Sequence, residues 1–129
     1  MISGFDSCKK VDKIPSTVTQ VIIDDNAFNT YPNDPLIISE AMIRGDSLQI
    51  EFGASCCDGK NWITKLVGSM EVLYSDPPQR SIRLSLKNNE LCMAACGKTV
   101  IFDLKPFQVS GGEIILNLNG WSGQLLYKY

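Results

Sequence analysis

Short runs in which apolar and polar residues alternate recur along this chain, and they constrain its fold more than any other feature. The run Gln79–Lys87 is the clearest, because Ile82, Leu84 and Leu86 alternate with charged or hydroxyl side chains. Ser47–Phe52 follows the same two-residue period. Successive side chains of a strand point to opposite faces, so each such run predicts a strand with one buried and one solvated face.

Turn residues separate these runs at short intervals, and that spacing is typical of a sandwich or barrel. We predict an all-β fold, a single-domain antiparallel β-sandwich of about seven to eight strands, with an immunoglobulin-like arrangement as one form of it. The domain is expected to span residues 17–129, after a flexible lead-in at residues 1–16. The predicted strands are Thr17–Asp24, Leu36–Ile43, Ser47–Phe52, Trp62–Val67, Met70–Tyr74, Gln79–Lys87, Lys98–Leu104, Glu113–Asn119 and Gln124–Tyr129.

Two stretches between the predicted strands are not expected to be strands. Asp25–Pro35 is dense in Asn, Asp and Pro, which favour turns, so we predict a long loop there. Leu91–Cys96 contains good helix formers but is too short to sustain a helix by itself. It fits either one helical turn or an irregular crossover.

Composition excludes several kinds of function. Histidine is absent from the 129 residues, and the net charge is −2. Without an imidazole there is no serine–histidine or cysteine–histidine catalytic pair and no histidine metal ligand. The basic residues are scattered rather than clustered, so nucleic acid is not an expected partner. No apolar run is long enough to span a bilayer, and the first residues lack the apolar core of a secretory signal.

The cysteines offer the sharpest structural hypothesis. Five are present, and beyond Cys8 they form an adjacent pair and a pair spaced by three residues, Cys56, Cys57, Cys92 and Cys96. A disulfide between the two pairs would close a loop of roughly 35–40 residues. Neighbouring cysteines in extended chain point to opposite sides, so a given partner is expected to meet only one of them. Two alternatives stay open: a zinc site, which the adjacent pair fits poorly, and buried free thiols.

Two further groups of side chains are candidates for binding. The loop near Asp24–Asp34 concentrates carboxylate and amide oxygens that calcium prefers, although turn chemistry also accounts for them. Trp62, Trp121 and Tyr127 could form a ligand surface, and core packing is the competing interpretation. No complete catalytic constellation is present, so no catalytic residue and no metal ligand is assigned.

Four motifs resemble a group of uncharacterised small bacterial envelope lipoproteins. They are IRGDSLQIEFGASCCDGKNW, PPQRSIRLSLKNNELC, FDLKPFQV and the terminal LLYKY, and they cover about residues 43–129. The resemblance implies a periplasmic or surface-exposed β-sandwich in an oxidising setting, with a Cys57–Cys92 bridge. Cys8 departs from the lipid-attachment pattern, because no short apolar signal precedes it. Cys8 is therefore not identified as a lipid anchor.

From these observations we predict a non-enzymatic β-sandwich module of the bacterial cell envelope with a binding or structural role. No cofactor is expected. Its partner would be an envelope protein or a small ligand, and any membrane attachment would use a lipid anchor missing from this chain, which we interpret as trimmed. The alternatives are a metal-binding protein, with zinc on cysteine or calcium in the loop, a small-ligand-binding protein, and a cytoplasmic thiol protein.

Overall fold

A computed structural model describes residues 20–129 of the chain. In that range two sheets pack face to face, one with five strands and one with three. The elements in chain order are β1 Val21–Ile23, α1 Asp25–Thr30, β2 Ile37–Arg44, β3 Ser47–Cys56, β4 Trp62–Gly68, β5 Gln79–Asn88, β6 Ala94–Asp103, a 3-10 turn Lys105–Phe107, β7 Glu113–Leu118 and β8 Leu125–Lys128.

The smaller sheet has the order β2-β3-β6 and the larger one the order β1-β4-β5-β7-β8. The smaller sheet is antiparallel throughout. In the larger sheet β1 runs parallel to β4 and β5 runs parallel to β7, while the β4–β5 and β7–β8 pairs are antiparallel. The larger sheet is therefore mixed, unlike the antiparallel sheets of an immunoglobulin domain.

The core lies between the sheets and follows the alternation of the sequence. Ile82, Leu84 and Leu86 of β5 are all buried in one apolar cluster with Leu48, Ile50 and Phe52 of β3. Burial of this apolar surface between two sheets is the main stabilising term of a sandwich. The predicted all-β sandwich is confirmed.

Arg83 and Ser85 point to the other face of β5 and are buried as well. The segment around α1 covers them. Arg83 donates hydrogen bonds to the carbonyl oxygens of Phe28, Tyr31 and Pro32 at distances of 2.9–3.2 Å. Ser85 Oγ donates to Pro32 O at 2.7 Å. The larger sheet thus has an apolar inner face and a polar patch under α1.

Three sequence predictions need correction. The predicted loop Asp25–Pro35 contains α1, whose first turn is capped by Asp24 through a bond from the Ala27 amide of 2.8 Å. Met70–Tyr74 is not a strand and makes a single bridge from Leu73 to Gln79. In Leu91–Cys96 the last three residues already belong to β6.

Other predictions fall outside the described residues. They are the lead-in at residues 1–16 and the first three residues of the strand predicted at Thr17–Asp24. The described part of that strand is β1. Neither helical segment of residues 20–129 has the length and apolarity needed to cross a bilayer.

Candidate functional site

Two disulfides fix the corner at the end of β3. Cys56 bonds to Cys96 and Cys57 bonds to Cys92, with Cα–Cα distances of 5.9 and 4.9 Å. Cys56 is the last residue of β3 and points into the core, while Cys57 is exposed, so the neighbours reach different partners. All four cysteines predicted as disulfide candidates therefore form disulfides. Their sulfurs are bonded to each other and offer no thiolate to zinc.

A carboxylate holds the turn that follows the cysteines. Glu90 Oε1 accepts hydrogen bonds from the backbone amides of Cys57, Asp58 and Gly59 at 2.6, 3.1 and 2.9 Å. Its Oε2 accepts from the Asn61 amide at 2.8 Å. The bond from Asn61, with those from the other three amides, lowers the pKa of Glu90 to about 2, although burial acts in the opposite direction. An ionised side chain is therefore built into this corner.

This arrangement predicts a pH dependence of stability. The folded pKa of Glu90 lies below its ordinary value of 4.5. Its contribution is thus complete above that value and is lost as the pH falls toward about 2. We expect Glu90→Gln to lower the urea midpoint at neutral pH and to flatten its pH dependence in the acidic window. Equal acid slopes for the variant and the parent would contradict this role of Glu90.

Trp62 and Lys98 complete the inner side of the corner. Trp62 is buried against Phe52, with ring centroids 5.3 Å apart, and its Nε1 donates to Ser55 O at 3.2 Å. Lys98 Nζ lies 5.6 Å from the Trp62 ring and donates to Gly59 O at 3.3 Å. The ammonium group is thus directed to the turn and the indole, which combines a hydrogen bond with a cation–π contact.

An apolar groove lies on the outer face of the smaller sheet beside this corner. Its volume is about 850 Å³. Ile37 and Met93 border it, and their side chains are 77% and 95% exposed. Gly53, Gly97 and Ala95 are also among the lining residues. Large apolar side chains exposed beside a concave surface are characteristic of a binding site.

The groove exists because small residues meet across the strands. Gly53 pairs with Ile37 on one side and with Gly97 on the other, and Ser55 pairs with Ala95. These small residues have little side-chain bulk, so the backbone of the strands forms the floor of the groove. A Cβ atom on Gly53 would come within 3.3 Å of the Cys96 carbonyl oxygen, whereas one on Gly97 would make only an ordinary contact of 3.7 Å with Phe52 O. Close packing therefore favours glycine at position 53 in particular.

The three aromatic residues predicted to form a ligand surface do not come together. Trp62 and Tyr127 are buried, near opposite ends of β3. The Tyr127 hydroxyl donates to Asp46 Oδ1 at 2.6 Å and accepts from Gln108 Nε2 at 3.0 Å. Burial, with the bond to Asp46, raises the pKa of Tyr127. Core packing is thus the correct interpretation for Trp62 and Tyr127, while Trp121 is half-buried beside a separate cavity of about 420 Å³.

The oxygen-rich loop uses its carboxylates within the fold. Asp24 caps α1. Asp25 Oδ1 accepts hydrogen bonds from Ser69 Oγ at 2.9 Å and from the Met70 amide at 2.8 Å. Asp34 Oδ2 accepts a hydrogen bond from the Asn88 amide at 2.7 Å. Within residues 20–129 no group of three or more Cys, Asp or Glu side chains is arranged to hold a metal ion. The three carboxylates thus act as cap and turn acceptors, in line with the turn chemistry expected of this stretch.

Sequence reasoning found the cysteines but missed the groove and Glu90. Glu90 lies between the predicted strand Gln79–Lys87 and the stretch Leu91–Cys96, where a charged residue is ordinary. Its amide partners lie 29–33 residues away. One signal for the groove was present: Gly53 and Ser55 on β3, with Ala95 and Gly97 on β6, occupy alternate positions beside cysteines. Small residues on the outer face of adjacent strands leave a depression.

Known proteins similar to this chain are found among solved structures. No family model and no curated protein matches the chain. A NigD-like immunity protein from Bacteroides caccae has a TM-score of 0.64 at 12% identity, over 83% of this chain and 58% of its own. A protein of unknown function from Bacteroides vulgatus has a TM-score of 0.58 at 18% identity, over 87% of this chain and 57% of its own.

A predicted lipoprotein from Bacteroides fragilis has a TM-score of 0.54 at 8% identity, over 86% of this chain and 70% of its own. At these identities the likeness establishes the fold alone. The chain spans 57–58% of the length of the first two proteins.

Proposed function

We propose that this protein is a non-enzymatic binding module of the bacterial cell envelope, and that its binding surface is the groove on the outer face of the smaller sheet. The observation that carries the proposal is the groove itself. It has a volume of about 850 Å³ and is bordered by Ile37 and Met93, two large apolar side chains left in water. Exposed apolar surface of this kind is stabilised when a partner covers it.

The state of the reactive side chains supports a role without catalysis. The four cysteines of the corner are held in disulfides, and the Glu90 carboxylate accepts hydrogen bonds from four backbone amides. A general base must take up a proton near neutral pH, and the lowered pKa of Glu90 makes its carboxylate a weak base. The groove lining includes Glu51 as its one ionisable side chain among the described residues.

An envelope location is supported by the disulfides and by the resemblance to envelope lipoproteins. Disulfides persist in oxidising compartments and are rare in the cytosol. The structural similarity to a predicted lipoprotein agrees with that location. We expect fractionation of the source cells to place the protein with the envelope, with the four corner cysteines resistant to alkylation until reductant is added. Recovery from the cytosol with alkylated thiols would overturn this part of the proposal.

Filling the groove tests the binding role. We expect apolar fragments from a small-molecule library to shift the methyl resonances of Ile37, Met93 and Ala95 in NMR spectra. Ala95→Trp places a large side chain on the exposed outer face and should weaken those fragments by roughly tenfold or more. Its free energy of unfolding should change by less than about 0.5 kcal/mol, because the position is exposed.

Gln49→Trp is the matched control, since Gln49 of β3 lies on the same face of the smaller sheet as Ala95 but outside the groove. It should leave fragment binding unchanged. A fragment set that shifts no groove methyl, or that binds Ala95→Trp as well as the parent, would contradict the assigned surface.

A further inference from the structure

Among residues 20–129, Nε of Arg80 is the one buried side-chain nitrogen or oxygen atom without a hydrogen-bond partner. Burial lowers the pKa of Arg80, and the groups that act against this effect are Tyr74 and Tyr129 rather than a carboxylate. An arginine remains charged under such conditions, and a buried charge without a partner is costly. Folded proteins keep few such groups, and bound water, ions or a functional role account for those that remain.

Alternation along β5 places Arg80 on the inner face of the larger sheet. It lies two residues before the buried Ile82 and pairs with Leu116 of β7, which is buried as well. Its guanidinium carbon lies 5.8 Å from the centroid of the Phe107 ring, which is fully buried. The row of apolar side chains inside the sandwich thus ends at a charged group.

Arg83, three residues further along β5, shows how this fold uses a structural arginine. Its guanidinium donates hydrogen bonds to three backbone carbonyl oxygens. The terminal nitrogens of Arg80 are not among the buried atoms without a partner, although no hydrogen bond joins them to the described part of the chain, so they reach the surface. Arg80 therefore presents the end of its guanidinium to solvent, with its N–H donors unused by the fold.

Two aromatic side chains lie near this guanidinium. They are the tyrosines that act on the pKa of Arg80, Tyr74 and Tyr129. Their side chains are 81% and 38% exposed. Exposed tyrosine rings offer a large apolar surface with a polar edge, and they are common where a ligand or partner is bound. The end of the sandwich at Arg80 thus combines unused donors with aromatic surface.

We propose that Arg80 binds the carboxylate of a ligand whose apolar or aromatic body packs against Tyr74 and Tyr129. A guanidinium presents two parallel N–H donors, which match the two oxygens of a carboxylate. One cation is neutralised by a monoanion, whereas a phosphate dianion would leave a negative charge in a partly desolvated place. The site is separate from the groove, because Asn88 at the other end of β5 donates to Ser55 O beside the disulfide corner.

NMR titration of the isotope-labelled, oxidised protein with phenylacetate gives the first test. This probe carries one carboxylate on an aromatic body. We expect a saturable shift of the Arg80 Nε–Hε resonance, and the neutral phenylacetamide should bind roughly tenfold more weakly or worse. Equal binding of the acid and the amide, or an Arg80 resonance that the acid does not shift, would overturn the proposal. Inorganic phosphate that binds as tightly as phenylacetate would also overturn it.

A second probe distinguishes two sources of the carboxylate. N-acetylphenylalanine resembles the last residue of a peptide, whereas phenylacetate resembles a free organic acid. Tighter binding of N-acetylphenylalanine would assign the carboxylate to a peptide terminus, and weaker binding would assign it to a free acid. Both results support the site, and an Arg80 resonance that responds to neither probe contradicts it.

Variants isolate the guanidinium. Arg80→Met removes the charge and should weaken phenylacetate roughly tenfold or more, as followed at the ring resonances of Tyr74 and Tyr129. Lys128→Met removes an exposed charge on the strand that precedes Tyr129 and should leave binding unchanged. Ala95→Trp should also bind phenylacetate at this site normally, so the site is tested independently of the groove. Undiminished binding to Arg80→Met would contradict the assignment.

Unfolding in urea gives a readout that a structural arginine would not share. The charge of Arg80 has no partner among the described residues, so Arg80→Met should unfold at the same urea concentration as the parent or at a higher one. Phenylacetate should raise the midpoint of the parent and not that of Arg80→Met. A midpoint of Arg80→Met below that of the parent would overturn the proposal, because the guanidinium would then stabilise the fold as Arg83 does.

Discussion

Replacing all four bridged cysteines with alanine is expected to lower the free energy of unfolding by about 6 kcal/mol, and replacing either pair alone by only about 2 kcal/mol. The two bridges close loops with sequence separations of 40 and 35 residues. Each alone would reduce the entropy of the unfolded chain enough to stabilise the fold by about 4 kcal/mol. The loop closed by Cys57–Cys92 lies inside the loop closed by Cys56–Cys96. Once either bridge has formed, the other closes only the short ring between the two disulfides. The second bridge to form therefore adds less to the free energy of unfolding than the first.

Urea denaturation of the three variants and the parent measures these differences. Cys57 and Cys92 are both exposed, so Cys57→Ala with Cys92→Ala isolates the entropic term with little loss of packing. Cys56 is buried, and its replacement adds a packing loss. Losses of about 4 kcal/mol from each pair that add up in the quadruple variant would contradict the nested arrangement. A fold stabilised by 5–15 kcal/mol, the range common for domains, would be left marginal by the loss of both bridges.

Arg83→Met is expected to lower the free energy of unfolding by about 3 kcal/mol, because hydrogen bonds from a charged group contribute more than neutral ones and the acceptors are left buried. The guanidinium binds three carbonyl oxygens at the end of α1 and has no carboxylate partner among the described residues that contact it. Burial lowers the pKa of Arg83, but an arginine remains charged. The variant should also free α1, and hydrogen exchange at the Phe28 and Tyr31 amides should accelerate.

Lys87→Met is the matched control on the same strand. Lys87 is exposed, so its replacement should change the free energy of unfolding by less than about 0.5 kcal/mol. If Arg83→Met unfolds at the same urea concentration as Lys87→Met, the buried guanidinium is not what holds α1 against the sheet.

The dependence of α1 on Arg83 also explains why the sequence did not predict it. Six residues rich in Asn and Asp have weak helix propensity, and short helices form only when tertiary contacts hold them. Arg83 is 51–55 residues away from the carbonyls that it binds. By contrast, Ile82, Leu84 and Leu86 could be assigned to the core, because alternation within a single strand is local information.

Some features of the candidate site were also predictable from local sequence, and others were not. That the two cysteine pairs meet was predictable from their number and spacing, whereas the assignment of each cysteine depends on β3 ending at Cys56. The start of β6 was missed because Ala, Cys and Gly carry little β propensity, and its first residues are fixed by pairing with β3 and by the disulfides. The groove arises from rows of small residues that become neighbours only in the sheet, so it required the register of three strands.

A crystal structure of the oxidised protein soaked with a groove-binding apolar fragment tests the central claim most directly, namely that the outer face of the smaller sheet is a binding surface. Density for the fragment is expected over Gly53 and Gly97, between Ile37 and Met93. A fragment bound elsewhere, for example in the cavity beside Trp121, with the groove left open to solvent, would contradict that claim.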